Sequence, residues 1–241
     1  MQRPQFIPHW IVPRVLRSSG TLRTTATLVS HLLRDYGWLR SIREGKSVDA
    51  SGKPIPWFTY PAIDYIRQLD LSEKTIFEWG SGFSTLFWSA RAKYVISVET
   101  DPLWYSILKP RLTSNCELVL VGPGVEQYAS LINNRNKFDV IIVDGIGESR
   151  AACSKAAIPN LRPGGLIILD NSDLWLTSSQ ILRDSGLIQV DFTGFAPLNV
   201  HCHTTSLYFS RDFNFSPLGG HQPHKSSAQP AEPWCESTYE T

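Results

Sequence analysis

The sequence predicts an α/β protein: a doubly wound, mostly parallel sheet of seven strands, closed by an antiparallel C-terminal hairpin and preceded by an N-terminal helical extension. Three observations lead there. Short β-prone runs alternate with segments of helical apolar spacing from residue 75 to residue 192. FDVIIV, residues 138–143, is a nearly continuous apolar run, the pattern of a strand buried on both faces. The last two β-prone runs, 187–192 and 206–210, are joined by a segment containing Gly194 and Pro197 with no helical pattern. A parallel crossover needs a helix, so these two strands form a hairpin.

The elements follow in order. Residues 1–20 are rich in Pro and Arg and read as irregular. Residues 21–43 read as one helix, with Leu28, Val29, Leu32, Leu33, Tyr36 and Leu39 as its stripe. A polar loop, 45–52, leads into PIPWFTYP, a connector that is either a rigid strap on the core or a lid over a ligand. Residues 62–71 form a short helix. TIFEW (75–79) is the first strand, GSG (80–82) a tight turn, 83–91 a helix, and 94–98 the second strand, closed by Glu99. Pro102 suits the first turn of the next helix, and Pro110 bends or ends it. Strand three spans 117–121, with a helix at 125–134. Strand four ends at Asp144. A helix at 149–161 and the turn RPGG lead to strand five, 166–169, which ends in Asp170 and Asn171. The helix at 174–184 precedes the hairpin. Residues 1–61 therefore read as a basic extension and connector, 62–215 as the domain proper, and 216–241, rich in Pro, Ser, Gly and His, as a disordered tail.

Composition narrows the function. The 241 residues carry a net charge of +1, which gives no general attraction to nucleic acid. No specific nucleic-acid partner is expected. The first 53 residues hold seven Arg and two Lys, and the first acid is Asp35. That resembles the composition of an organelle-targeting leader, but prolines 4, 8 and 13 interrupt it, and a basic extension is the simpler reading. Weak contact of this segment with a membrane surface is compatible with it. No apolar run is long enough to span a bilayer. Cys116, Cys153, Cys202 and Cys235 are widely spaced, with no CxxC, which fits neither a disulfide framework nor zinc and points to a cytoplasmic setting.

In an open α/β sheet, ligands bind beyond the carboxyl ends of the strands. That edge collects Gly80, Ser81, Gly82, Phe83 and Ser84, then Glu99, Glu126, Asp144, and Asp170 with Asn171. The loop between the last two strands adds His201 and His203. Glycines let a ligand approach the turn, helix amides receive an anionic group, and an acid about 20 positions on holds ribose hydroxyls. An adenosine-type ligand is expected.

The order FEWGSGFST, VISVE, FDVIIVDG, LRPGGLIILDN and a terminal hairpin resembles the Rossmann-like class I S-adenosylmethionine-dependent methyltransferases over residues 75–210. The resemblance implies that Glu78, Gly80, Ser81, Gly82, Phe83 and Ser84 place the methionine half of the cofactor. It also implies that Glu99 holds the ribose, with Glu126 near the adenine. The third glycine of the dinucleotide fingerprint falls at Thr85, where it is absent. Asp144, Asp170 and Asn171 are similar to the Mg2+ ligands of catechol-, caffeoyl-CoA- and macrocin-type O-methyltransferases, and hard oxygen ligands suit that ion. Without metal, Asp144 caps a turn and Asp170 and Asn171 order a loop. His201 or His203 supplies a general base, or bonds the local backbone. Trp57, Trp175 and Phe195 are the aromatics expected to reach the pocket. The acceptor implied is a small molecule or a saccharide hydroxyl. An NAD(P)-binding oxidoreductase and a non-catalytic module of the same fold are the alternatives.

Overall fold

The computed structural model describes residues 19–122 and 124–228. Seven strands form one sheet in the order β3-β2-β1-β4-β5-β7-β6. They are β1 (Thr75–Trp79), β2 (Tyr94–Glu99), β3 (Cys116–Leu120), β4 (Phe138–Val143), β5 (Leu161–Leu169), β6 (Ile188–Gly194) and β7 (His203–Phe209). β1 to β5 are mutually parallel; β7 runs antiparallel between β5 and β6. The expected doubly wound sheet with its C-terminal hairpin is therefore present.

Helix α1 (Ser19–Ser30) continues through a π-helical turn, His31–Asp35. The chain then breaks before α2 (Trp38–Glu44). A single helix over 21–43 was expected, and Gly37 divides it. Its φ is +82°, and a Cβ there would lie 2.4 Å from the Asp49–Ala50 peptide. The chain turns at Gly37 because only glycine takes that backbone against a loop so close.

The connector is packed rather than loose. Val48, Ile55 and Phe58 are buried, and Tyr60 N–H donates to the Phe195 carbonyl oxygen at 2.8 Å. Helix α3 (Tyr60–Arg67) carries Pro61 in its first turn. Helices α4 (Phe83–Ser89) and α5 (Pro102–Leu108) follow β1 and β2. Asp101 caps α5 by accepting from the amides of Leu103 and Trp104. Pro110 sits in the short 3-10 turn, Lys109–Arg111, that ends it. Helices α6 (Val125–Ser130), α7 (Arg150–Asn160) and α8 (Leu176–Asp184) complete the set.

Period-two alternation sends strand side chains into two cores. Ile76, Val95, Val140, Ile142, Leu166 and Leu207 face α3, α4 and the connector. Phe77, Trp79, Ile96, Ile141, Val143 and Ile167 face α6, α7 and α8. Both faces are covered, which is why β4 reads as nearly all apolar.

The expectation of a disordered tail does not hold for residues 216–228; residues 229–241 lie outside the described residues, as do 1–18. Phe215 is buried, Leu69 bridges Pro217, and Leu218 N–H donates to the Gln68 carbonyl at 2.7 Å. Polar composition misled here because the segment is anchored by hydrogen bonds. The hydroxyls of Ser226 and Ser227 donate to the Asp64 carboxylate at 2.6 and 2.7 Å, and Arg67 Nη1 donates to Ser227 Oγ. Among the described residues no helix is long and apolar enough to cross a membrane. Replacing Asp64 by Ala is expected to lower stability by about 1–2 kcal/mol, the partly buried hydrogen bonds from the Ser226 and Ser227 hydroxyls being lost with it. Limited proteolysis should then cut the 216–228 segment first, at protease levels that leave the wild-type segment intact.

Candidate functional site

The parallel register sets the site. Trp79 pairs with Val98 and with Val143, and Val143 pairs with Leu169. One residue further on, Glu99, Gly80, Asp144 and Asp170 therefore stand side by side across β2, β1, β4 and β5. On the other side of Asp170, Ser206 of β7 pairs with Leu169, which brings Thr205 alongside.

Gly80 has φ of +94°, and a Cβ there would lie 2.6 Å from the Asp144 carbonyl oxygen. No other residue fits both the backbone and the contact. Gly82 is different: a Cβ would meet only Ser84 Oγ, at 3.8 Å, and would otherwise project into open space. That space is a cavity of about 350 Å³ lined by Gly80, Ser81, Gly82, Phe83 and Ser84, together with Lys46, Ser47, Trp57, Trp104, Asp144 and Leu198. The turn residues named from sequence thus converge. Ser81 is clasped from two sides: its hydroxyl donates to the Glu99 carboxylate, and its carbonyl accepts from Trp104 Nε1 at 3.0 Å. Glu99 stands behind Ser81 and also accepts from the amides of Thr100 and Asp101.

Glu78 does not reach the cavity. It is fully buried and accepts from Thr85 Oγ1 at 2.5 Å, Ser97 Oγ at 2.7 Å and Trp88 Nε1 at 3.0 Å. Burial raises its pKa above the usual carboxylate value, and hydroxyl and indole donors pull the other way. Thr85 Oγ1 in turn accepts from the Gly82 amide at 2.9 Å. Glu78 therefore holds the glycine turn from behind, through Thr85. Glu126 is exposed in the first turn of α6 and is not among the cavity residues. Nothing in the sequence singled out Trp104, Lys46 or Leu198. The first was hidden by its place in an amphipathic helix, and the other two come from loops distant in sequence.

A second cavity, of about 250 Å³, is lined by Trp57, Asp144, Asp170, Asn171, Asn199 and His203. Asp144 and Trp57 border both cavities. The three oxygen-bearing residues named from sequence do come together here. Asn171 takes a left-handed conformation, φ 52°, and its carbonyl accepts from the amides of Leu174 and Trp175. His201 is exposed and does not border the cavity, whereas His203, the first residue of β7, is 4% exposed and does. Of the two histidines expected at this edge, the structure brings only His203 to the cavity: β7 begins there, and pairing with Gly194 of β6 carries that ring inward while leaving His201 in the loop. Trp175 packs its ring against Gly147 and under Arg150, behind this cavity rather than in its wall. Phe195 is 41% exposed and does not border it.

Arg150 is buried, and its Nη2 donates to Asp144 Oδ1 at 2.9 Å. Nη1 donates to the Asp170 carbonyl, and Nε to the Gly145 carbonyl. Burial and the neighbouring Asp170 charge raise the Asp144 pKa well above the ordinary carboxylate range, and Arg150 opposes them. About a fifth of the Asp144 side chain is open to the cavities, so solvent moderates that rise without reversing it. Asp170 Oδ1 accepts from Thr205 Oγ1 at 2.5 Å and faces His203 Nε2 at 3.5 Å.

The residues expected to hold Mg2+ do not fit a resident divalent ion. The Arg150 guanidinium already stands against Asp144, and Asp170 Oδ1 is engaged by Thr205 and faced by His203. Among the described residues no group of three or more His, Cys, Asp or Glu is placed to hold a metal.

No family model matches the sequence, and no curated protein is significantly similar to it. Solved structures are similar in fold. A Klebsiella pneumoniae protein assigned as an O-methyltransferase superposes with a TM-score of 0.52 over 83% of this chain and 94% of its own, at 16% identity. Precorrin-6y C5,15-methyltransferase from Geobacter metallireducens gives 0.49 over 62% and 86%, at 14% identity. Aeropyrum pernix fibrillarin, with natively bound S-adenosyl-L-methionine, gives 0.48 over 63% and 76%, at 17% identity. The likeness to the Klebsiella protein establishes the fold alone: the chain has the Rossmann-like methyltransferase fold that its sequence resembles.

Two substitutions test the construction of the turn. Glu78→Ala leaves an indole N–H and two hydroxyls without their buried acceptor and should cost about 3 kcal/mol or more in denaturant unfolding. Gly80→Ala forces the turn away from Asp144. It should reduce the melting temperature and open the 350 Å³ cavity's wall, seen as faster amide exchange over residues 80–84.

Proposed function

We propose that the protein is an S-adenosylmethionine-dependent methyltransferase acting on a hydroxyl oxygen of a small molecule or saccharide. The observation that carries this reading is Asp144, which borders both the glycine-turn cavity and the smaller polar one. Cofactor in the first and acceptor in the second would meet at that carboxylate.

The first cavity suits the cofactor. Gly80 and Gly82 leave backbone exposed to a ligand, and Phe83 and Ser84 begin a helix whose free amides attract a carboxylate. Glu99, behind Ser81, is placed for ribose hydroxyls once Ser81 yields. Trp104 and Trp57 offer flat apolar faces for the adenine or the thioether chain. Bound there, S-adenosylmethionine would supply a methyl group from a positively charged sulfur, which would keep the electron pair of the broken carbon–sulfur bond.

The chain contributes alignment, exclusion of water and a proton acceptor. The acceptor hydroxyl approaches from the second cavity, its oxygen lone pair forms the new bond to carbon, and its proton passes to the Asp144 carboxylate. A carboxylate with a raised pKa suits that task better than an ordinary one, because proton transfer is most efficient when the base is poised near the working pH. Arg150 holds Oδ1 and so fixes the carboxylate while the other oxygen works. No step is routed through a metal, since Arg150 supplies the positive charge at Asp144.

Isothermal titration should show binding of S-adenosylmethionine and S-adenosylhomocysteine; no heat with either, in folded protein, would end the proposal. Asp144→Asn should leave cofactor binding within a few fold and lower the rate about 100-fold or more, the usual range for a general base. The base works only when ionised, so activity should fall as pH is lowered through the Asp144 pKa. That acid limb should lie above the ordinary carboxylate range and vanish in Asp144→Asn. Activity should survive EDTA; full loss on chelation and recovery with Mg2+ would restore the metal reading.

A further inference from the structure

The second cavity contains one buried polar atom without a partner, Nε2 of His203. The ring's hydrogen can be placed from its neighbours. Trp57 Nε1 can only donate, and it lies 3.1 Å from Asn199 Oδ1. That contact fixes which end of the Asn199 amide is oxygen. The amide nitrogen, Nδ2, then faces His203 Nδ1 at 3.1 Å and must donate to it. His203 Nδ1 is therefore an acceptor, and the neutral ring carries its hydrogen on Nε2. The far side agrees independently. Nε2 faces Asp170 Oδ1 at 3.5 Å, where a lone pair would be repelled and an N–H is welcome. At 3.5 Å the bond to Asp170 is not made, so the N–H is available.

We propose that Trp57 and Asn199 lock His203 as an Nε2–H donor beside Asp170 at the edge of the acceptor cavity, where it binds a lone-pair oxygen of the acceptor rather than removing its proton. Asn199 is the positioning residue. Its backbone is pinned as well, since its carbonyl accepts from Trp38 Nε1 at 2.7 Å. The α2 helix, the connector and the hairpin loop thus meet at one residue, Asn199. The ligand class follows from the walls. Asp144 and Asp170 offer acceptors, His203 offers a donor, and Trp57 offers an aromatic face. Two carboxylates against one guanidinium disfavour an anionic acceptor. A neutral molecule with a hydroxyl beside a second oxygen matches that pattern. This deepens the methyl-transfer reading and rests on it for the word acceptor; the tautomer itself does not depend on it.

The test is long-range proton–nitrogen correlation on histidine-15N-labelled full chain without ligand, the His203 ring being assigned with His203→Gln. The expected wild-type spectrum shows a pyrrole-type Nε2 and a pyridine-type Nδ1. In Asn199→Asp, where position 199 can only accept, the ring should carry a proton on Nδ1. A wild-type ring protonated on Nδ1 overturns the proposal, as does an unchanged tautomer in a folded Asn199→Asp. Should that variant not fold, the wild-type spectrum still decides. Titration with myo-inositol, a neutral polyol, should shift the Nε2 resonance, and inorganic phosphate should not; the reverse order overturns the ligand class. Failure of S-adenosylmethionine to bind would end the methyltransferase reading and leave the tautomer result standing.

Discussion

The register of four parallel strands is the constraint on which the site depends. Because Trp79 pairs with both Val98 and Val143, and Val143 with Leu169, the next position along each strand falls in one row. That row reads Glu99, Gly80, Asp144, Asp170. A register slip of one residue in β4 would exchange its side chains between the two cores and carry Asp144 out of the row. The two-sided core makes such a slip expensive, since Ile141, Ile142 and Val143 are all fully buried. The apolar content of β4 therefore does two things: it fills both cores, and it fixes where the first polar residue after it must stand.

Four carboxylates, Glu78, Glu99, Asp144 and Asp170, stand at or near one sheet edge and create an electrostatic difficulty, which is met at the first three by three different devices. Glu78 is buried deepest and is surrounded by neutral donors, which lower its pKa while desolvation raises it. Glu99 is turned back onto the amides of Thr100 and Asp101. Asp144 is paired with Arg150, whose other nitrogens are spent on carbonyls. The Arg150 arrangement is the informative one. A guanidinium that caps two loop carbonyls and one carboxylate is fixed in direction, so it neutralises Asp144 without covering it. Removing such a partner would leave an uncompensated buried charge, which is more costly than never having had the pair.

Much of this was legible in the sequence, for reasons that differ by residue. The sheet was legible because strand periodicity and helix periodicity differ, and because the short hairpin loop excludes a crossover. The turn was legible because Gly80 meets a steric demand that no other residue meets. Thr85 illustrates a partial reading. Its presence in place of a third glycine spoke against a dinucleotide. Its work, linking the Gly82 amide to Glu78, needed coordinates. The helix break at Gly37 and the anchored segment after Phe215 were not legible. Each depends on contacts with residues remote in sequence, Asp49 in one case and Asp64 in the other. His201 and His203 could not be separated by composition or spacing either. Which one enters the cavity is decided by where β7 begins, and element boundaries are weakly encoded locally.

The Asp144 position also explains why the N-terminal extension belongs to the site. The Rossmann-like core supplies the floor: the glycine turn, Asp144 and Asp170. It supplies little roof. Trp57 from the connector and Leu198 from the hairpin loop border the glycine-turn cavity, and Trp57 with Asn199 borders the smaller one. Leu198 holds a left-handed backbone, φ 66°, which is costly for a residue with a Cβ. Its neighbour Asn199 is held by Trp38, Trp57 and His203 together. Those bonds offset the strain and set the loop over the row of strand ends. A loop fixed at one residue by two remote indoles joins both cavities under one cover. A ligand that engaged His203 would therefore act on the same hydrogen-bonded unit that roofs the glycine-turn cavity, and this coupling is built from side chains outside the sheet.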